Sequence, residues 1–455
     1  MNTELGTGFG TYIPLVVYLV GMTAAVLSLF GKPQWGLWYL VLVLPLQTTR
    51  DRIIPFPLGA QMIEVLWFSS LLGLLFTRGT SFVPKAALNK WFIALAIITY
   101  ISLWRGFFYL NSEMPLWLSD RRFSDWTNYM MLPIICIIAA GTVKKIQDIK
   151  IMIVLMSFTT LLVNWSFFRS SAGRDFSHYS NDIRDAGVIG YAGANGFAAF
   201  VAMLIVFLTT LYFFIRGTQW KLGILALLAF SGYCLLFSFS RGAYFACLLG
   251  ISFMAMFRQK KLLIGVAVIL FAWQLILPTA VEERIGMTYD NGGQALESSA
   301  ADRVLLWQDA MTLVRENFVF GTGIYTYRYM HRVGKYEDTH NYYVKVLVEM
   351  GPIGLILLVV ILFQMWNAGF RLYRTSDDSF VQGLGLGFAA LILCIAVANF
   401  FGDRWSYLQV DGYLWILLGC VMRAQVFTEE KKKPEVSEAD VNPISSEYGE
   451  FVAVN

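Results

Sequence analysis

The chain has 455 residues, of which 57% are hydrophobic and 15% charged, with a mean hydropathy of +0.58. That composition lies outside the range of an ordinary soluble domain and leaves a bilayer as the solvent able to accept so much apolar surface. A formal net charge of +4, with no lysine-rich or RGG-like tract outside a short run in the tail, excludes nucleic acid as a partner.

Apolar runs of spanning length, about 20 residues, fall near 12–30, 34–47, 61–77, 91–110, 128–142, 150–168, 191–215, 222–239, 242–257, 261–278, 344–368, 382–401 and 405–422. No Lys or Arg precedes the first of them and no small-residue cleavage site follows it, so it reads as a retained span and not as a signal peptide. The expected fold is an all-α polytopic membrane protein with about 12–13 transmembrane helices. Four parts follow: transmembrane helices over 1–278, with an outer loop near 169–190; a long, partly helical loop over 279–343 carrying the site; C-terminal transmembrane helices over 344–423; and a disordered cytoplasmic tail over 424–455. The five cysteines, Cys136, Cys234, Cys247, Cys394 and Cys420, all sit in apolar runs without CxxC spacing and read as small core residues.

Orientation follows from where Lys and Arg fall. With the tail lysines Lys431, Lys432 and Lys433 placed in the cytoplasm and sides alternated backwards, twelve of fourteen lysines land inside; only Lys335 and Lys345 face out. Arginine does the opposite: Arg78, Arg216, Arg258, Arg371, Arg374 and Arg423 are inside, and the other fifteen of twenty-one lie on or near the outer face. Guanidinium grips phosphate through a planar fork and never loses its charge, so arginines kept where insertion disfavours them point collectively to a diphosphate. The alternative for any single one is anchoring at lipid headgroups or pairing with Asp120, Asp175 or Asp185.

Four stretches carry chemistry. In the loop from Arg169 to Asn195, Arg184 and Asn195 flank the start of a span, and His178 lies among turn residues and reads as surface. At Ser240-Arg241-Gly242-Ala243 two apolar runs meet almost without a loop; Arg241 there is costly without an anionic partner, a snorkelling arginine being the plainer reading. From Ser298, serines able to cap a helix precede Val304, Trp307, Met311 and Val314 at helical spacing, with Arg303 in the first turn.

The fourth stretch runs from Gly321-Thr322-Gly323 to Asp338-Thr339-His340-Asn341-Tyr342-Tyr343. No GK[ST] follows the glycines, so a phosphate loop is excluded. Thr339 is the expected N-cap of a helix running to Met350, which places His340 in the first turn, where the positive helix end and nearby arginines would keep the imidazole neutral and ready to accept a proton. Asp302, Glu349 and Asp403 are substitute bases. A transporter for an anionic lipid is the rival class; it calls for charges at mid-membrane depth and internal repeats, and the sequence shows neither.

The ordered set Phe237-Ser238-Phe239-Ser240-Arg241-Gly242-Ala243, Arg303 with Leu306-Trp307, Gly321-Thr322-Gly323, His340-Asn341 and Glu349-Met350-Gly351-Pro352-Ile353-Gly354 resembles the O-antigen ligase family, bacterial membrane glycosyltransferases using polyprenyl-linked donors. The resemblance covers about the second half of the chain. It implies a GT-C-like architecture in the bacterial inner membrane with a periplasmic active site. It also implies metal-independent, inverting transfer of a glycan from an undecaprenyl-diphosphate-linked donor to a glycan or lipid A–core acceptor. Ligation of lipopolysaccharide is the leading form, polymerisation of O-antigen or exopolysaccharide repeat units the alternative, and a chain-length regulator an implied partner. The resemblance implies that His340 is the base or an acceptor-binding residue and that Arg241 and Arg303 bind the diphosphate; the residue reading takes His340 as the base, adds Arg184 to the diphosphate clamp, and has Asn195, Asn341, Trp307 and Tyr342 line the substrate. No cofactor and no metal ligand set are expected.

Overall fold

The computed structural model describes residues 12–78, 82–84, 86–117, 120–287, 289–290, 295–296, 298–334 and 336–432. The positions read from the sequence for Lys85, Lys335, Lys433 and the rest of the tail lie outside the described residues. Helices dominate: α1 (Ile13–Leu29), α2 (Gln34–Val43), α3 (Gln47–Asp51), α4 (Met62–Arg78), α5 (Leu88–Leu110), α6 (Arg121–Thr142), α7 (Ile146–Ser171), α8 (Gly193–Tyr212), α9 (Thr218–Leu236), α10 (Arg241–Arg258), α11 (Lys261–Ile276) and α12 (Thr279–Gly286). A two-residue antiparallel pair, β1 (Tyr289–Asp290) and β2 (Ala295–Leu296), separates them from α13 (Ser298–Glu316), α14 (Thr326–Met330), α15 (Tyr342–Thr375), α16 (Ser379–Ala398) and α17 (Leu408–Lys432). The chain is an all-α polytopic membrane protein.

Each of the thirteen apolar runs corresponds to a helix, but among the described residues only eight helices are long and apolar enough to span, or nine if α11 and α12, bent by 98°, count as one. The difference has a physical cause. Helices α1 and α2 are 17 and 10 residues long, and α10 is 18 residues with an arginine at each end; apolar content marked these runs, while length and charge set the span. Helix α17 continues to Lys432 with Ala424 fully buried, so the first residues of the segment read as tail are helical; the rest lie outside the described residues.

Helices α8, α16 and α17 are the most enclosed, with Phe207, Phe388 and Trp415 in the core. Close backbone approach holds α15 against α16: a Cβ on Gly369 would stand 2.8 Å from the Gly385 carbonyl oxygen, the small-residue contact that membrane helices use in place of a hydrophobic driving force.

The Gly321-Thr322-Gly323 turn is a clasp. Thr322 N donates to Val348 O at 2.9 Å and Gly323 N to Glu349 O at 2.8 Å, while Ile324 N donates to Ser102 Oγ at 2.8 Å on α5. Gly323 has φ +112, and a Cβ there would lie 2.3 Å from the Gly106 backbone, so only glycine fits. The carbonyls it binds are those freed where α15 breaks at Gly351, φ +65. The clasp thus fixes the loop ahead of α15.

Helix α13 is amphipathic as the sequence predicts, but its buried face is Leu306, Ala310 and Leu313, packed with Val348 and Tyr327. Of the expected stripe, Val314 is buried in the same cluster and Met311 packs against it, whereas Val304 and Trp307 are more than a third exposed and Leu306 takes the inward place in the first half of the helix. The side chains of Ser298 and Ser299, the expected caps, lie outside the described residues.

Candidate functional site: an arginine cavity beside a histidine–aspartate pair

A cavity of about 340 Å³ opens where the first turns of α8 and α10 meet α12, α13 and the loop before α17. Its wall carries five guanidinium groups, Arg184, Arg241, Arg284, Arg303 and Arg404, and no carboxylate among the described residues. The three arginines predicted from the sequence are therefore brought together, and two more join them. Arg184 Nη2 donates to Asn195 Oδ1 at 2.6 Å, and Ser240 Oγ donates to the same oxygen at 2.9 Å, so Asn195 ties the corner before α10 to the loop before α8. Arg241 occupies the first position of α10, after Phe239 at φ +54, and its Nη1 donates to the Met287 carbonyl at the end of α12. Both α8 and α10 turn their N-terminal ends, positive by the peptide dipole, toward the cavity.

Arg284 and Arg404 escaped the sequence reading because their neighbours look like ordinary loop and amphipathic residues. Arg284 is 5% exposed, with its guanidinium carbon 4.7 Å from the Tyr179 ring centroid. Arg404 is 9% exposed; its Nη1 donates to the Asp403 carbonyl at 3.0 Å, while the Asp403 carboxylate goes instead to Lys345 Nζ at 2.8 Å and to the amides of Trp405 and Ser406. Burial lowers the proton affinity of Arg404, opposed by the charge of Asp338. Burial likewise lowers that of Arg184, and repulsion from Arg284 and Arg404 adds to it against the attraction of Tyr179. Several cations held this close in low dielectric are a standing cost that an anion relieves.

His340 stands beside the cavity and not on its wall. Asn341, not Thr339, is the N-cap of α15: its carboxamide oxygen accepts from Tyr343 N and Val344 N. His340 therefore precedes the cap, at φ +50, instead of lying in the first helical turn, and the expected influence of the helix end gives way to a carboxylate. Nδ1 of His340 is 2.8 Å from Asp338 Oδ1, and its backbone amide donates to the same oxygen at 2.6 Å. Burial would raise the Asp338 carboxyl, but the hydrogen bond and charge of His340, then the charge of Lys345, hold it below the usual carboxylate range. With Nδ1 engaged by Asp338, the ring keeps Nε2 on a side chain that is still 39% exposed.

The remaining residues read as substrate-lining have other places. Asn341 is the cap just described. Trp307 Nε1 donates to the Thr339 carbonyl at 3.0 Å and so braces the His340 loop. Tyr342 is 5% exposed and sits in the main core. Of the four, only Asn195 is on the cavity wall. Among the substitute bases, Asp302 accepts from the Tyr336 hydroxyl, Glu349 is 3% exposed with Oε1 accepting from Tyr327 N, and Asp403 is committed to Lys345. His178 is on the surface as predicted, 78% exposed, but its Nδ1 meets Glu283 Oε1 at 2.7 Å, clasping the 169–187 loop to α12 next to Arg284.

Residues 223–359 match the model of a family described as O-antigen ligase. The matched segment holds Arg241, Arg284, Arg303 and His340, whereas Arg184, Asn195 and Arg404 come from outside it. No curated protein matches the chain.

Proposed function

We propose that this membrane protein, whose residues 223–359 match the O-antigen ligase family model, moves a glycan from a polyprenyl diphosphate to an acceptor hydroxyl on the outer face of the inner membrane, as a ligase of lipopolysaccharide. The observation that carries the reading is one cavity walled by five arginines beside an aspartate-held histidine. Cleaving a sugar–diphosphate bond leaves growing charge on the phosphate oxygen, and fixed guanidiniums reward that growth without reorganising. Phe245, 51% exposed on α10, also lines the cavity, so a diphosphate held there has an apolar exit for its polyprenyl chain.

In the reaction the acceptor oxygen attacks the anomeric carbon as its proton passes to Nε2 of His340. The bond from that carbon to the diphosphate oxygen breaks, and its electron pair leaves on the lipid diphosphate, held by Arg184, Arg241 and Arg303 with Arg284 and Arg404. A single displacement inverts the anomeric configuration. Asp338 keeps the ring oriented and stabilises the imidazolium that forms, as a carboxylate partner does for histidine bases generally.

Deletion of the protein followed by gel electrophoresis of the surface glycan tests the reading. Long chains left on the lipid carrier support ligation; capped single repeats assign the chain to repeat-unit polymerisation instead; an unchanged glycan removes both. With purified lipid-linked donor, His340→Ala should slow turnover by about two to four orders of magnitude and Arg303→Lys by about a hundredfold. Full turnover in both variants would show that the chemistry lies elsewhere.

A further inference from the structure

Phe318-Val319-Phe320, between α13 and the glycine clasp, is a run of three consecutive large apolar side chains exposed by 60%, 53% and 63%. Facing water, such a run is a liability; it belongs against an apolar medium. The fold shows which one. On α5 the exposed residues Ile93, Ile97, Ile101 and Phe108 recur at helical spacing and form a lipid-facing stripe that ends beside the helix terminus. On α15 no residue from Tyr342 to Met350 is exposed, and a second exposed apolar stripe, Ile353, Ile356, Val359 and Phe363, begins directly after the break at Gly351. The triplet sits where the two stripes meet. Arg105 of α5 donates from Nε to Gly321 O at 3.3 Å and from Nη2 to Asn317 Oδ1 at 3.1 Å, while a Cβ on Gly351 would stand 2.4 Å from Val319 O and 3.0 Å from Phe318 O. Gly321 N donates to Asn317 O at 2.9 Å and Asn317 N to Leu313 O at 2.9 Å, so polar groups flanking the triplet are satisfied inside the protein, as contact with lipid requires. Exposed Arg315 and Glu316 come just before it, giving the charge-beside-aromatic order of an interfacial segment.

We propose that Phe318-Val319-Phe320 is an interfacial anchor that inserts into the bilayer surface and seats the site-bearing loop on it. The partner is lipid and not protein: the triplet continues two stripes that already face lipid, and a protein covering it would have to lie in the bilayer beside α5 and α15. Fixed links carry the seat to the site. Helix α13 brings Arg303 to the cavity wall near its start and leads into the triplet at its end; beyond the triplet, the clasp ties Thr322 and Gly323 to α15. The anchor thus sets the height of the arginine cavity and of the loop ahead of α15 against the bilayer surface. It does not depend on which reaction the site performs.

The five cysteines are buried, so a nitroxide attaches selectively to a cysteine introduced at the surface. Full-length Phe318→Cys, Phe320→Cys and, as the water-side control, Arg315→Cys proteins are labelled and reconstituted in vesicles of phosphatidylethanolamine and phosphatidylglycerol. Collisions of each label with oxygen, which concentrates in lipid, are compared with collisions with a water-soluble nickel chelate. Oxygen should outweigh the chelate at 318 and 320, and the chelate should outweigh oxygen at 315. Chelate-dominated collisions at 318 and 320 overturn the anchor, and scarce collisions with both reagents there show a protein cover and overturn it equally. For the seat, Phe318→Ser/Phe320→Ser in the same vesicles should lower amide protection over 317–324 by about tenfold or more, the loss expected when aromatic burial is removed, and Phe318→Leu/Phe320→Leu should keep it. Protection unchanged in the serine pair overturns the seating.

Discussion

The imidazole Nδ1 of His340 and the Oδ1 of Asp338 are 2.8 Å apart, and the same oxygen takes the histidine's own backbone amide. One carboxylate thus fixes both the ring and the turn that carries it. Asp338→Asn keeps the size and one acceptor but removes the charge that holds the ring and its imidazolium. Turnover should fall by about ten- to a hundredfold, the range seen when an outer partner orienting a histidine is lost, with diphosphate binding nearly intact.

The same geometry decides the pH profile. The folded Asp338 carboxyl is depressed, so its stabilising contribution is complete above the ordinary aspartate value of about 3.9 and is lost only as pH falls through the lower folded value. Asp338 remains a carboxylate throughout the working range. Any acidic limb of turnover measured above the ordinary aspartate value should therefore persist in Asp338→Asn; its loss in that variant would assign it to the carboxylate after all.

The clasp of His178 on Glu283 should be pH-gated. His178 is raised by its hydrogen bond to Glu283, so that contribution is present below the ordinary histidine value and lost as pH rises through the folded one. Glu283 is lowered, first by the Tyr179 amide and then by His178, so its contribution is present above the ordinary glutamate value and lost on acidification. Between those ordinary values, about pH 4.3 and 6.5, both are engaged. The protection factor for hydrogen exchange over 174–187, which divides out the intrinsic pH dependence of amide exchange, should be highest near pH 5.5 and lower at pH 8, and His178→Ala should show at pH 5.5 the protection that the unaltered protein shows at pH 8. A pH-independent protection factor would leave the pair without a role in ordering the loop.

How far the sequence reached follows from what each signal encodes. Apolar runs found every apolar helix of ten residues or more in the described membrane domain, because burial in lipid or core demands the same residues; they overcounted spans because a run does not report whether α2, ten residues long, reaches both faces. Arg184, Arg241 and Arg303 could be grouped by the side that alternating the thirteen apolar runs assigns to them, which is a reading of the sequence alone. Arg284 and Arg404 fall in the same group of fifteen but are not singled out from it, because their convergence is made by the α11–α12 bend and by Gly402, neither of which has a periodic signature. The signal available for Arg404 was its place directly after Gly402-Asp403, between two apolar spans. For Thr339, Asn341 won the cap by having its carboxamide aligned with the free amides of Tyr343 and Val344, while the Thr339 hydroxyl donates to the Asn341 carbonyl.

The glycine clasp should be intolerant. In Gly323→Ala a methyl is forced against the Gly106 backbone at a φ that L-residues avoid. Strain of about 1–3 kcal/mol from the dihedral adds to an overpacking cost of similar size. A lower unfolding temperature in detergent, with turnover lost as the His340 loop loosens, is the expected result. Gly334→Ala, also at positive φ but with open space around it, should cost only the dihedral part.

Trp307 separates bracing from binding. Its indole N–H holds the Thr339 carbonyl, and the side chain is absent from the cavity wall. Trp307→Phe removes the hydrogen bond and keeps an aromatic ring on α13. Because a loop freed by one lost hydrogen bond of about 1 kcal/mol still samples its native position, kcat should fall severalfold, the acceptor KM should rise and the donor KM should stay put. A donor KM that rose with kcat unchanged would place the indole on the lipid diphosphate, and the loop before α15 would then carry part of the donor site instead of only the base.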